Sequence, residues 1–253
     1  MTDQSDLWVR RLHQDRRNGP RLICFPHAGG SAIFFKPLAA LLEFEVAGLL
    51  YPGRQDRRAE PCLPDLAALA DAAYAALEPW ADRPLVFYGH SMGAVLAYEV
   101  ARRCQRDGRD WPLGLVVSGR RAPSVHRDED VHTRDDAGVI AEIRRLSGTA
   151  SALLDDEDVI AMIMPSTRAD YQAIETYRHQ PGPPLDRPIV AVTGLSDPRV
   201  TVPEAGRWVE HTSGAFELHT APGGHFFHSD DWPATARLLI GAVAAFRGGP
   251  VPA

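Results

Sequence analysis

Apolar positions in this chain fall into short continuous runs separated by longer stretches with helical spacing. The runs Arg21–Phe25, Phe44–Leu50, Leu85–Tyr88, Leu113–Ser118, Ile189–Thr193 and Phe216–Thr220 predict strands, of which Arg21–Phe25 and Leu85–Phe87 read as buried. Residues 8–13 predict a first, edge strand, followed by a turn at Asn18, Gly19 and Pro20. Helical spacing is expected over Phe34–Leu42, Asp65–Trp80, Ala94–Arg106, Pro203–His211 and Asp231–Phe246, with Asp65 at the start of its helix. Strand and helix therefore alternate, the pattern of a mostly parallel sheet covered on both faces. The expected fold class is α/β.

The alternation breaks once. Between about Pro123 and Pro184 no strand pattern appears, and charged helical segments take its place: Asp136–Leu146, Asp156–Met164 and Ser166–His179. That is long for a plain connection. The expected organisation is one domain over residues 1–253, with a helical insertion at 124–184. The chain closes in a Gly/Pro-rich tail expected to be loose.

Composition changes this picture little. A 253-residue chain with 45% hydrophobic residues can bury a sizeable core. Its net charge of −6 argues against nucleic acid as a partner. Lys36 is the only lysine, so arginine carries the positive charge. Cys24, Cys62 and Cys104 are odd in number and irregularly spaced, which implies no disulfide framework and suits a reducing compartment. Neither a signal-like start nor a span of membrane length is visible, so a cytoplasmic location is expected, with no membrane contact.

The chemistry lies at the ends of the expected strands. Gly89, Ser91 and Gly93 fit G-x-S-x-G between a strand and a helix, a turn that leaves a serine projecting at a helix N-terminus. A serine hydroxyl needs an imidazole to take its proton, and the imidazole needs a carboxylate to fix its tautomer. His225, after the last strand in Gly223-Gly224-His225, is the expected base. His90 sits inside the elbow facing away, and His211 and His219 read as surface or strand positions. His225 and His228 lack a metal-binding context, and no metal is expected. Asp197, after the strand at Ile189–Thr193, is the expected carboxylate; Asp230 and Asp231 read instead as a helix cap. The order Ser, Asp, His is that of an α/β-hydrolase triad. The oxyanion is expected to be held by the backbone amides of Met92 and Ala28, the latter in the loop His27-Ala28-Gly29-Gly30.

Taken together, Phe25-Pro26-His27-Ala28-Gly29-Gly30-Ser31, Tyr51-Pro52-Gly53-Arg54, Gly89-His90-Ser91-Met92-Gly93, Gly194 to Pro198 and Gly223-Gly224-His225-Phe226-Phe227 resemble the type II thioesterases of polyketide synthase and nonribosomal peptide synthetase systems. Arg168-Ala169-Asp170-Tyr171 and Glu175-Thr176-Tyr177 also look like that family's lid. The resemblance implies an α/β-hydrolase fold with a helical lid. It implies a discrete editing enzyme that removes acyl groups, often short or aberrant, from phosphopantetheine on acyl carrier or peptidyl carrier proteins. No cofactor of its own and a monomeric state are expected.

Other readings remain open on the residues alone. A carboxylesterase or lipase would use the same triad. A releasing thioesterase embedded in a synthase would too, although the chain begins without a carrier domain. A non-catalytic binder on this fold would usually lack one of the three residues. Carrier docking is expected to use a local basic patch, either Arg54, Arg57 and Arg58 or Arg120, Arg121 and Arg127, unless these arginines pair with nearby acids such as Asp56, Asp128 and Glu129. Tyr171 and Tyr177 are expected to wall the acyl chamber.

Overall fold

The computed structural model describes residues 7–14, 19–147 and 152–248. Asn18 of the expected first turn, the expected loose tail beyond 248 and the first six residues lie outside the described residues. Seven strands form one sheet: β1 (Val9–His13), β2 (Arg21–Phe25), β3 (Glu45–Leu49), β4 (Leu85–His90), β5 (Leu115–Ser118), β6 (Ile189–Gly194) and β7 (Phe216–Ala221). Their spatial order is β1-β3-β2-β4-β5-β6-β7. β1 runs antiparallel to β3, and every other pairing is parallel. Chain order reverses direction across β2 and β4. In such sheets the crevice beyond the strand C-termini opens at that point.

The continuous apolar runs mark strands covered on both faces, as every residue of β2, β3, β4 and β5 is buried. One face of the sheet packs against α1 (Leu66–Leu77) and α2 (Met92–Arg106), through residues such as Leu69, Ala73, Leu96 and Val100. Asp65 caps α1 as its position predicts, with Oδ1 accepting from the Ala68 amide at 2.8 Å. The other face, including Leu22, Cys24, Val86 and Val116, packs against the C-terminal helix, α5 (Trp232–Phe246), through Leu239 and Val243. Cys24 is buried in this core, and all three cysteines are free thiols.

The segment between β5 and β6 carries α3 (Asp136–Ser147) and α4 (Glu157–Thr176). Val131, Val139, Ile140, Leu154, Met164 and Tyr171 form a small apolar cluster of their own there. The sequence predicts two helices where α4 is one, because Pro165 should end the first. The apolar face stays in phase across Pro165. Met164 and Tyr171 pack into the small cluster, and Ala173 and Ile174 reach the main core. This tertiary burial outweighs one lost backbone hydrogen bond.

Three smaller departures have similar causes. The expected helix Phe34–Leu42 is a 3₁₀ turn, Ala32–Phe35, leading into a single α-turn, Lys36–Ala39. The expected helix Pro203–His211 is a short α-turn, Val202–Gly206, tightening to 3₁₀ over Arg207–His211. That tightening turns His211 inward against Tyr98 and Trp208, so His211 is buried rather than at the surface. Asp231 alone caps α5, accepting from Ala234, whereas Asp230 ends the separate short helix Phe227–Asp230.

Four of the six cluster arginines pair with carboxylates, the alternative left open by the sequence, although of the acids named there only Glu129 is a partner. Arg54 and Arg57 are buried and paired with Asp170 and Glu60, and Arg121 is buried against Glu129. Arg127 pairs with Glu204. Of the first cluster only Arg58 is exposed. A guanidinium that leaves water needs a carboxylate close by, and Arg54, Arg57 and Arg121 each have one.

Candidate active site

The turn from β4 into α2 depends on two absent side chains. A Cβ on Gly93 would lie 2.0 Å from the carbonyl oxygen of Phe25, and one on Gly89 would lie 2.3 Å from the carbonyl oxygen of Gly93. The helix can therefore start directly over the end of β2. Ser91, at the corner, takes φ 55° and ψ −118°, an unusual backbone for a residue with a side chain. Its amide donates to the Ser118 carbonyl at 2.8 Å, which ties the corner to β5. Backbone strain of this kind persists only where the surroundings enforce it.

Three parallel strands then bring together residues that are far apart in sequence. His225 Nε2 lies 3.0 Å from Ser91 Oγ, and His225 Nδ1 lies 2.9 Å from Asp197 Oδ2. The other Asp197 oxygen accepts from the Arg199 amide at 2.8 Å. Both the Asp197 and His225 side chains are almost wholly buried. The arrangement can do general-base chemistry. With Nδ1 protonated and facing the carboxylate, Nε2 is free to receive the serine proton.

The loop after β2 approaches from the other side. His27 to Gly30 form a β-turn closed by the Gly30 amide donating to the His27 carbonyl at 2.9 Å. Gly29, at the third position, has φ 75°, as type II turns require. The Gly29 amide is taken by Asp170 at 2.8 Å. Ala28, whose amide precedes these two, lines the same cavity as Ser91 and His225. Met92, the other expected donor, is the first residue of α2.

This cavity is small, about 30 Å³, and Tyr171 and Ile174 of α4 and Leu146 of α3 help to line it. A larger one of about 310 Å³ adjoins it, with Arg120 and Ile174 lining both. Tyr171 faces the cavity of Ser91, as expected. Tyr177 lines the larger one and donates its hydroxyl to Glu99 at 2.9 Å.

Burial keeps the histidines around His225 neutral. His27 touches Phe34 and Phe226, and burial first, then the nearby charges of His225 and Arg54, hold its pKa down at about 3. His90 lies 5.0 Å from the His225 ring and 3.9 Å from that of His228, centre to centre. Burial pushes the pKa of both His90 and His228 well below the usual imidazole range. A proton arriving at His225 meets no competing imidazolium. Nothing in the hydrophobic pattern points to this cluster, because histidine counts as polar wherever it occurs. At the cavity wall burial and Arg121 pull the Arg120 guanidinium down to about 9. Burial pushes Glu129 up, but hydrogen bonding from Arg121 and the charges of Arg120, Arg121 and Arg199 prevail and hold it at about 2.

The chain is similar over most of its length to several thioesterases and other biosynthetic proteins. It is 44% identical to the thioesterase PikA5 of Streptomyces venezuelae, covering 99% of this chain and 92% of that one. It is 35% identical to the gramicidin S biosynthesis protein GrsT of Aneurinibacillus migulanus, covering 88% and 89%. Its fold matches that of the type II thioesterase BorB of the borrelidin biosynthetic cluster with a TM-score of 0.89 at 44% identity, covering 94% and 98%. The thioesterase domain profile matches residues 20–242, and the chain belongs to the thioesterase family.

Proposed function

We propose that this protein is a type II thioesterase that clears acyl groups from the phosphopantetheine arms of carrier proteins in polyketide or nonribosomal peptide assembly. The observation that carries the reading is the 3.0 Å approach of His225 Nε2 to Ser91 Oγ, at the mouth of a cavity roofed by α4. Ser91 Oγ attacks the thioester carbonyl as its proton passes to His225 Nε2. The carbonyl electrons move to oxygen, and the amides of Ala28 and Met92 hold the oxyanion. Collapse breaks the C–S bond, and the leaving thiolate takes the proton from His225. Water then attacks the acyl-serine as its proton passes to His225; collapse breaks the acyl C–Oγ bond, Ser91 Oγ takes that proton back from His225, and the free acid departs. Asp197 keeps His225 in the required tautomer throughout and stabilises its charged form.

In this reading the insertion, residues 124–184, is a lid over the acyl chamber within a single domain. The cavity beside Ser91 marks where the reacting carbonyl sits, and the adjoining larger one suits the approach of the pantetheine arm. No cofactor of the enzyme's own takes part. The test is a panel of acyl groups on one holo-carrier protein, followed by mass spectrometry, beside a small aryl ester. Faster turnover of the carrier thioesters, lost in Ser91→Ala, supports the reading. Preference for the aryl ester would make the protein a carboxylesterase.

A further inference from the structure

Two sequence stretches that lie outside the triad meet at the β-turn of Ala28. Asp170, on α4, accepts from the Gly29 amide at 2.8 Å through Oδ2. The same carboxylate forms a two-point pair with Arg54, at 2.6 Å to Nη1 and 2.7 Å to Nη2. Arg54 Nη1 in turn donates to the Gly30 carbonyl at 2.8 Å. Both side chains are buried, at 2% and 7% exposed, and 116 residues separate them. The turn is thus held on both sides: its Gly29 N–H by the carboxylate, its Gly30 C=O by the guanidinium.

The hold reaches the reacting centre through one peptide plane. The Gly30 amide donates to the His27 carbonyl, and that carbonyl shares its plane with the Ala28 N–H. Fixing Gly29 and Gly30 therefore fixes the direction of the Ala28 amide. The Ala28 side chain also packs on the apolar cluster of the insertion. We infer that Arg54 and Asp170 are positioning residues for the oxyanion site, and that α4, by supplying Asp170, helps to build that site as well as covering it. The inference rests on the serine-hydrolase reading, since it concerns the donor for the oxyanion.

The experiment compares the full chain with Asp170→Asn, Arg54→Lys and Ser91→Ala. Reactive serine is counted by fluorophosphonate labelling, and kcat and KM on an acyl-carrier thioester are expressed per reactive site. Affinity for a trifluoromethyl ketone analogue, which forms a tetrahedral adduct on serine, is measured alongside. Loss of an oxyanion donor costs about 10²–10³-fold in kcat, so misdirection of one should cost roughly 10–100-fold. We expect that loss per site in Asp170→Asn, a smaller one in Arg54→Lys, and KM within about twofold. Analogue affinity should fall in step with kcat/KM, because the adduct resembles the transition state. A role in folding alone would lower the number of reactive sites and leave the rate per site intact; that result overturns the inference. Should either single variant fail to fold, Arg54→Met/Asp170→Leu removes both charges together and is expected to show the same loss per site. An unchanged rate per site in that double variant overturns the inference equally. Activity persisting in Ser91→Ala would overturn the hydrolase reading itself. An inactive Ser91→Ala beside an unaffected Asp170→Asn would remove only the positioning role.

Discussion

Gly93 lies so close to Phe25 that a single added carbon would sit 2.0 Å from the Phe25 carbonyl oxygen. The contact is with backbone, which cannot rotate away. Gly93→Ala must therefore push the start of α2 off the end of β2, moving Ser91 relative to the Ala28 turn. The expected outcome is a large loss of soluble protein or, in what folds, of serine labelling. Gly241 offers the control, since a Cβ there has open space. Gly241→Ala, within α5, should fold normally and gain up to about 1 kcal/mol, the usual helix preference for alanine over glycine. Thermal melts of the two variants check the contrast.

Ser91→Ala removes one hydroxyl and should fold as the parent does. Its rate on acyl-carrier thioesters should fall by several orders of magnitude, leaving only what binding and the oxyanion donors supply. Asp197→Asn keeps the shape but favours the wrong imidazole tautomer, and a fall of about 10⁴ is the serine-protease precedent. Asp230→Asn should be nearly neutral, because Asp230 ends a short helix away from the His225 ring nitrogens, both of which have other partners. Single-turnover kinetics on the three variants decide the assignment.

Stability should fall on mild acidification. His27, His90, His211 and His228 all have folded pKa values below the ordinary 6.5, chiefly through burial; His27 lies at about 3 and His211 at about 4. Between those values and 6.5 the unfolded chain binds protons that the folded chain does not, so stability drops as pH falls through that window. Each such histidine contributes up to about 1.4 kcal/mol per pH unit there. Glu129, held at about 2, adds a further loss between its usual range and that value. His228 has both ring nitrogens buried without a hydrogen-bond partner in the structure. His228→Phe should therefore flatten the dependence of Tm on pH between 7 and 5. An unchanged slope would mean that His228 takes up its proton in the folded state.

Tyr171 and Tyr177 should separate acyl choice from stability. Tyr171 fills space beside Ser91, so Tyr171→Leu should move the acyl-length profile towards bulkier groups. Tyr177→Phe loses the hydrogen bond to Glu99, worth about 1 kcal/mol, and should leave that profile unchanged. Equal profiles for both variants and the parent would place the acyl chain elsewhere.

The strands and the order of Ser91, Asp197 and His225 were legible in the sequence because they depend on local rules. A strand covered on both faces must be largely apolar, as Leu85–Phe87 of β4 are, and a nucleophile elbow must carry small residues at fixed offsets. These constraints act over a few residues, and a pattern of spacing records them. Other features answer to partners far along the chain. Arg54 reads as a surface charge until Asp170, 116 residues later, is placed against it. Pro165 reads as a helix end until the burial of Met164 and Tyr171 on one face is known. His211 reads as polar surface until Tyr98 and Trp208 close over it. In each case the free energy that decides the outcome is burial or charge pairing between segments, and it exists only once the sheet has brought those segments together.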